Sequence, residues 1–157
     1  MRIGNGYDAH RLKPGRPMIL CGVEIPSDFG PDGFSDADVA LHALCDALLG
    51  ALALGDIGLF FPDSDARYKN ADSRELIKQV YAMVTGRGYK LGNADITIVL
   101  QEPKLRPYIE KMRSSVAAAI DCEVEQISVK ATTEEHMGFT GSGEGIAAYA
   151  VVLLKKC

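Results

Sequence analysis

Residues 145–154 read GIAAYAVVLL. As a strand, this run places Ile146, Ala148, Ala150, Val152 and Leu154 on one face and Ala147, Tyr149, Val151 and Leu153 on the other,. Both faces are apolar, so both must be covered, unlike a sheet with one side in water. The rest of the chain offers cover for one face only. Residues 38–53 are apolar almost all round, as a buried helix should be, with Ser35 or Asp36 as its cap,. Asp72 and Glu75 form a capping-box pattern ahead of a second helix, whose buried side is Leu76, Ile77, Val80, Met83 and Val84 and whose end is marked by Gly86 and Gly88,. Pro107 suits the first turn of a third helix, with Ile109, Met112, Val116 and Ile120 inward,. Three helices can sheathe one side of a small sheet. The economical cover for the other side is a second copy of the chain.

The remaining strands are read at 2–12, in short pieces over Met18–Ile25, at Lys90–Leu100 and at Ile127–Thr132,. Pro26–Gly33 reads as an exposed loop, and 139–145 as a turn before the last strand. Gly55–Ala71 reads as a long loop without regular structure, the kind that often forms a lid,. The expected fold class is α+β: a compact two-layer α/β sandwich, a small mixed sheet with helices on one face, assembled as a homo-oligomer. A length of 157 residues allows one domain spanning 1–157,. A folded chain of this size exposes about 7,700 Å², leaving enough buried surface for a core without disulfides.

Composition narrows the function. Hydrophobic residues at 47% and charged residues at 24% are globular values and exclude a disordered tail,. A net charge of −4 argues against a nucleic-acid partner held by bulk charge,. The longest apolar run, Val39–Leu54, is broken by His42 and Asp46, so no membrane span and no leader is expected,. Cys21, Cys45, Cys122 and Cys157 form no close pair, which excludes a CxxC redox motif and a thiolate zinc knuckle,. Reduced thiols in the cytoplasm are the expectation.

The chain has three histidines, His10, His42 and His136. Asp8 and His10 share a strand face through their i, i+2 spacing,. His42 sits with Asp38 and Asp46 in the only polar stripe of the first helix,. Asp8, His10 and His42 together suit a zinc site with an open fourth position, and Asp46 is one turn from His42, placed to orient its ring. The alternatives are a solvated strand end and the wet face of a helix. Against them, unpaired polar groups in an otherwise buried helix are costly. Thr132, Thr133, Glu134 and Glu135 follow Lys130 at a strand end, where hydroxyls suit phosphate and a carboxylate suits Mg²⁺; a turn cap is the other reading,. Asp56, Asp63 and Asp65 are either hydroxyl-binding or plain loop carboxylates.

In fixed order over the whole chain, RIGNGYDAH (2–10), SDADVALHALCDALLGALALGDIG (35–58), FPDSD (61–65), ADSREL (71–76), GYKLGNADITIVLQEPK (88–104), VKATTEE (129–135) and GFTGSGEGIA (138–147) resemble the 2-C-methyl-D-erythritol 2,4-cyclodiphosphate synthase family. The resemblance implies a homotrimer with active sites between subunits. It implies Zn²⁺ on Asp8, His10 and His42, and Mg²⁺ or Mn²⁺ on Glu135. Ser35, Asp56, Gly58 and Asp63 would meet the methylerythritol part. The cytidine diphosphate portion would lie against Leu100, Lys104, Leu105 and Arg106, with Thr132, Thr133 and Phe139 in the substrate set; Thr133 and Glu135 are the implied catalytic residues. The implied reaction is intramolecular phosphoryl transfer in the non-mevalonate isoprenoid pathway. The substrate 2-phosphate attacks the β-phosphorus and CMP leaves. A phosphate nucleophile needs no strong base, so charge neutralisation and positioning carry the rate. A zinc phosphodiesterase using water is the alternative enzyme, and a trimeric module with a structural, four-ligand metal is the non-enzyme one.

Two positions depart from the family pattern. Phe34 stands where a His usually precedes the Ser-Asp motif, and Phe cannot donate a hydrogen bond to a phosphate,. Ser142 stands where Arg is frequent beside Glu144, so an anionic ligand on the trimer axis is not expected.

Overall fold

A computed structural model describes all of residues 1–157. In chain order its strands are β1 (Arg2–Pro14), β2 (Met18–Leu20), β3 (Val23–Ile25), β4 (Phe29–Pro31), β5 (Tyr89–Val99), β6 (Ile127–Thr132) and β7 (Gly145–Lys156). Its helices are α1 (Val39–Ala51), α2 (Ile57–Phe60), α3 (Ser73–Thr85), α4 (Ile109–Ile120) and α5 (Gly138–Gly141). One mixed sheet runs β4-β1-β7-β5-β6, and β2 and β3 form a separate hairpin. Only β5 and β6 are parallel, joined through α4. The two-layer α+β expectation holds.

β7 is the central strand, as its composition requires. Ile146, Ala148, Ala150, Val152 and Leu154 are buried in the single hydrophobic core. Tyr149 and Val151, on the opposite face, are exposed. They continue into β1, where Ile3 is 73% exposed and the Tyr7 ring lies 4.9 Å from that of Tyr149.

The closest layer contact is α1 on β1, and two glycines permit it. A Cβ on Gly4 would lie 1.9 Å from the Ala47 carbonyl oxygen, and one on Gly6 would lie 1.9 Å from that of Ala43. With no side chain there, the helix backbone rests directly on the strand. Small residues on both sides thus bring the helix stripe bearing His42 down to the strand bearing Asp8 and His10.

Five local expectations are corrected. Pro26–Gly33 is not a loop throughout, because β4 pairs antiparallel with β1, Leu12 opposite Pro31. The α1 cap is Asp38, not Ser35 or Asp36; its carboxylate accepts from Leu41 N–H and from Cys21 and Gly22 N–H in the β2–β3 turn. Asp72 does cap α3, but Glu75 pairs with Lys78 instead of reaching back to complete a box. Gly55–Ala71 contains α2 and a 3₁₀ turn at 66–68, each started by an aspartate, Asp56 and Asp65. The turn at 139–145 begins inside the short helix α5.

Candidate metal centre and flanking cavities

Asp8 and His10 extend from β1 on the helix side, one and two positions past the tight Gly4–Gly6 contact in that face's alternation. His42 comes down from α1. Asp8 Oδ2 lies 2.9 Å from His10 Nε2 and 3.1 Å from His42 Nδ1, and the two ring nitrogens are 3.4 Å apart. His10 Nδ1 donates to the Asp32 carbonyl at 3.0 Å, so its Nε2 is left bare. Pairing of β4 with β1 is what delivers Asp32, so the strand missed in the sequence supports the site. His42 Nε2 faces Ser73 Oγ at 2.9 Å and Ser35 Oγ at 3.2 Å. Three electron-rich atoms therefore converge on one point, an arrangement that repels itself unless a proton or a cation lies among them.

The electrostatics agree. Burial raises the Asp8 carboxyl, but hydrogen bonds from His10 and His42, made when a proton lies among the three atoms, win and hold it at about 2. Burial lowers His42, but Asp8, Asp38 and Asp36 more than offset it and the imidazole is pushed above its ordinary value. Two imidazoles and a carboxylate within 4.8 Å of one another fit a divalent cation, with three protein ligands and room for a fourth group,. His136 supplies no fourth ligand: it sits in a separate turn beside Gln101, whose side chain accepts from its N–H.

The triad opens into a 480 Å³ cavity walled by Phe34, Ser35, Ile57, Gly58, Phe61, Pro62, Asp63 and Tyr68. Gly58 and Asp63 are thus beside the triad, whereas Asp56 spends its carboxylate on the α2 cap. The Ser35 hydroxyl accepts from Ala37 N–H and meets His42 Nε2. Phe61 and Tyr68 stack edge to face at 5.2 Å over this space. Asp46 does not orient His42; it accepts from Ile57 N–H at 2.7 Å and anchors the start of α2. Burial of the remaining stripe residue, Asp38, pushes it up to about 6 despite its N–H donors.

A second cavity, 720 Å³, lies between β6 and α4. Leu100, Lys104, Leu105, Arg106, Thr132 and Thr133 line it together. It shares no lining residue with the triad cavity. Glu135 is exposed, in a turn where Glu135 and His136 both have positive φ and Glu135 N–H donates to Thr133 Oγ1. Phe139 lines a third, small hollow with His10, Arg11 and Glu144.

The YgbB family model matches residues 1–155. The chain belongs to the YgbB family. A YgbB-like relative, the 2-C-methyl-D-erythritol 2,4-cyclodiphosphate synthase of Moorella thermoacetica, is 64% identical over 98% of this chain and 94% of its own. The synthase of the same name from Actinobacillus pleuropneumoniae serotype 7 is 57% identical over 99% of both chains. A solved 2C-methyl-D-erythritol-2,4-cyclodiphosphate synthase in its CDP-bound form superposes with a TM-score of 0.90 at 41% identity, covering 98% of this chain and all of that one. Membership of the YgbB family thus spans the triad, both large cavities and the sheet. The residues that sequence reasoning missed are Asp32, Asp36 and Ser73. The Asp-Ser pair at 72–73 carried a signal, but only for a helix start.

Proposed function

We infer that this chain is a 2-C-methyl-D-erythritol 2,4-cyclodiphosphate synthase, converting 4-diphosphocytidyl-2-C-methyl-D-erythritol 2-phosphate to the cyclic diphosphate with release of CMP. The observation that carries this reading is the convergent Asp8–His10–His42 triad, opening into a cavity, in a chain alike to named synthases from end to end. Asp8, His10 and His42 would hold Zn²⁺, and Glu135 would hold Mg²⁺ or Mn²⁺ against the diphosphate. Such cations supply Lewis-acid neutralisation of phosphate charge. The chain's own residues do the positioning. Gly58, Asp63 and the peptide around Ser35 bound the space for the methylerythritol hydroxyls, and Asp56 caps the helix that carries Gly58. Leu100–Arg106 form the cytidine wall, with Lys104 and Arg106 as counter-charges and Thr132 and Thr133 as hydroxyl donors to phosphate. Phe61 and Tyr68 limit water, which would otherwise compete with the internal nucleophile.

Residues 1–157 act as one domain, and the working unit is a homotrimer. Two features support it: the apolar row Ile3, Tyr7, Tyr149 and Val151 left in water, and the division of the substrate set between two unconnected cavities. A neighbour's β6–α4 cavity set against this chain's triad would complete one site. No helix is long and apolar enough to cross a membrane, and the four cysteines are unpaired, in keeping with work in the cytoplasm,.

The test is ³¹P NMR of the purified protein with Zn²⁺, Mg²⁺ and the cytidine diphosphate substrate. CMP and a cyclic diphosphate appearing in equal amounts is the expected outcome. CMP with an open-chain bisphosphate would mean that water attacks, and would make the protein a phosphodiesterase.

A further inference from the structure

The far side of His42 is built as carefully as its metal side. Ser73 is fully buried at the first residue of α3. Its hydroxyl has one proton, which goes to Asp36 Oδ1 at hydrogen-bond distance. The Ser73 oxygen can therefore only accept from His42 Nε2, 2.9 Å away. Ser35 Oγ, farther off at 3.2 Å and already accepting from Ala37 N–H, is the weaker neighbour. Asp36 is itself held in place. Its other oxygen accepts from Ser73 N–H at 2.9 Å, its own N–H donates to the Ala71 carbonyl, and its Oδ1 also accepts from Asp38 N–H.

We propose that Asp36 and Ser73 are positioning residues, a carboxylate–hydroxyl relay that locks His42 in the tautomer with its proton on Nε2 and a bare Nδ1 facing the cation site. This rests on the metal-site reading given above. The relay acts on two properties of the ligand. It removes the alternative tautomer, whose Nδ1–H cannot bind a cation, and it makes the imidazole more basic by drawing on the Asp36 charge. His10 is oriented differently, by a neutral backbone carbonyl, so the two imidazoles differ in strength and His42 is the stronger donor.

The test is competition of the full-length protein against a chromogenic chelator for Zn²⁺, with melting of the metal-free protein measured alongside. Wild type should bind one Zn²⁺ per triad; failure of that control would overturn the metal site itself, not the relay. Ser73→Ala should weaken Zn²⁺ binding about 10- to 100-fold, while Asp36→Asn, which keeps the acceptor oxygen but removes the charge, should weaken it less. The Co²⁺-loaded Ser73→Ala protein should show shifted visible bands, which a purely structural change elsewhere would not produce. Zn²⁺ affinity within twofold of wild type in folded Ser73→Ala, whatever its melting temperature, would overturn the proposal. If Ser73→Ala does not fold, unchanged affinity in Asp36→Asn overturns it and weakened affinity with an unchanged melting temperature supports it.

Discussion

Phe34 is the one side chain of the proposed site whose chemistry argues against fast turnover. It walls the triad cavity with Asp8, His10 and His42, and its carbonyl is fixed by Asn70 N–H at 2.9 Å. On the proposed reaction, a ring without a donor there would leave a phosphate oxygen unaccompanied. Phe34→His should raise kcat, by up to about 10²-fold if the donor acts on the transition state; steady-state turnover at equal metal loading checks this, and an equal or lower kcat would contradict it. The triad predicts a pH dependence with a definite sign. Without metal, the Asp8 carboxyl held near 2 stabilises the fold above its unfolded value near 4, and that contribution is lost as pH falls toward 2,. His42, raised above its ordinary value, stabilises below about 6.5 and loses that contribution as pH rises through its folded value,. A divalent cation takes the place of the His42 proton, so its binding strengthens with pH. The rise in Tm on adding Zn²⁺ should therefore be larger at pH 8 than at pH 6, as read by scanning calorimetry at fixed total metal; an equal rise would mean that His42 does not exchange a proton for the metal.

At the scale of elements, the site depends on how closely α1 approaches β1. The glycines at 4 and 6 set that spacing, and His42 reaches Asp8 only because of it. Gly6→Ala would drive a methyl into the Ala43 carbonyl with no flexible side chain to yield. It should cost about 3 kcal/mol or more in stability. In denaturant titrations this would appear as a lower midpoint at unchanged slope, together with weaker metal binding. An unchanged midpoint would show that the helix can lift off the strand freely. The helices and long strands were legible in the sequence because their apolar periods are strong, at 38–53, 73–85 and 145–154. β4 was not, because three residues, Phe29, Gly30 and Pro31, carry no period; only pairing with β1 makes them a strand. Asp38 was misassigned for a related reason. Three acidic or hydroxyl residues within four positions offer equal caps, and the β2–β3 turn that selects Asp38 lies 16 residues away.

For the whole molecule, the open sheet face is the decisive feature. Tyr149 is 49% exposed at the centre of a sheet, next to Tyr7 and flanked by Val151 and Ile3. Burying such side chains between copies is worth about 1.5–3 kcal/mol each. Tyr149→Glu should shift the assembly toward monomers in light scattering at micromolar concentration, and should abolish turnover while sparing Zn²⁺ binding, since the triad belongs to one chain. A variant that stays assembled, or a monomer that stays active, would contradict a site completed by a neighbour.

The amino-acid pattern alone determined the fold class, the two-sided apolar strand and the three residues of the candidate metal site, because periodicity and the scarcity of histidine are local properties of the chain. The tertiary structure alone decided what orients those side chains. Asp46 is the nearer acid to His42 in sequence, yet it turns to Ile57, while Ser73 and Asp36 from across the α1–α3 contact take its place. A hydrogen bond depends on distance and direction to within a few tenths of an ångström, and those are set by how elements pack, not by spacing along the chain.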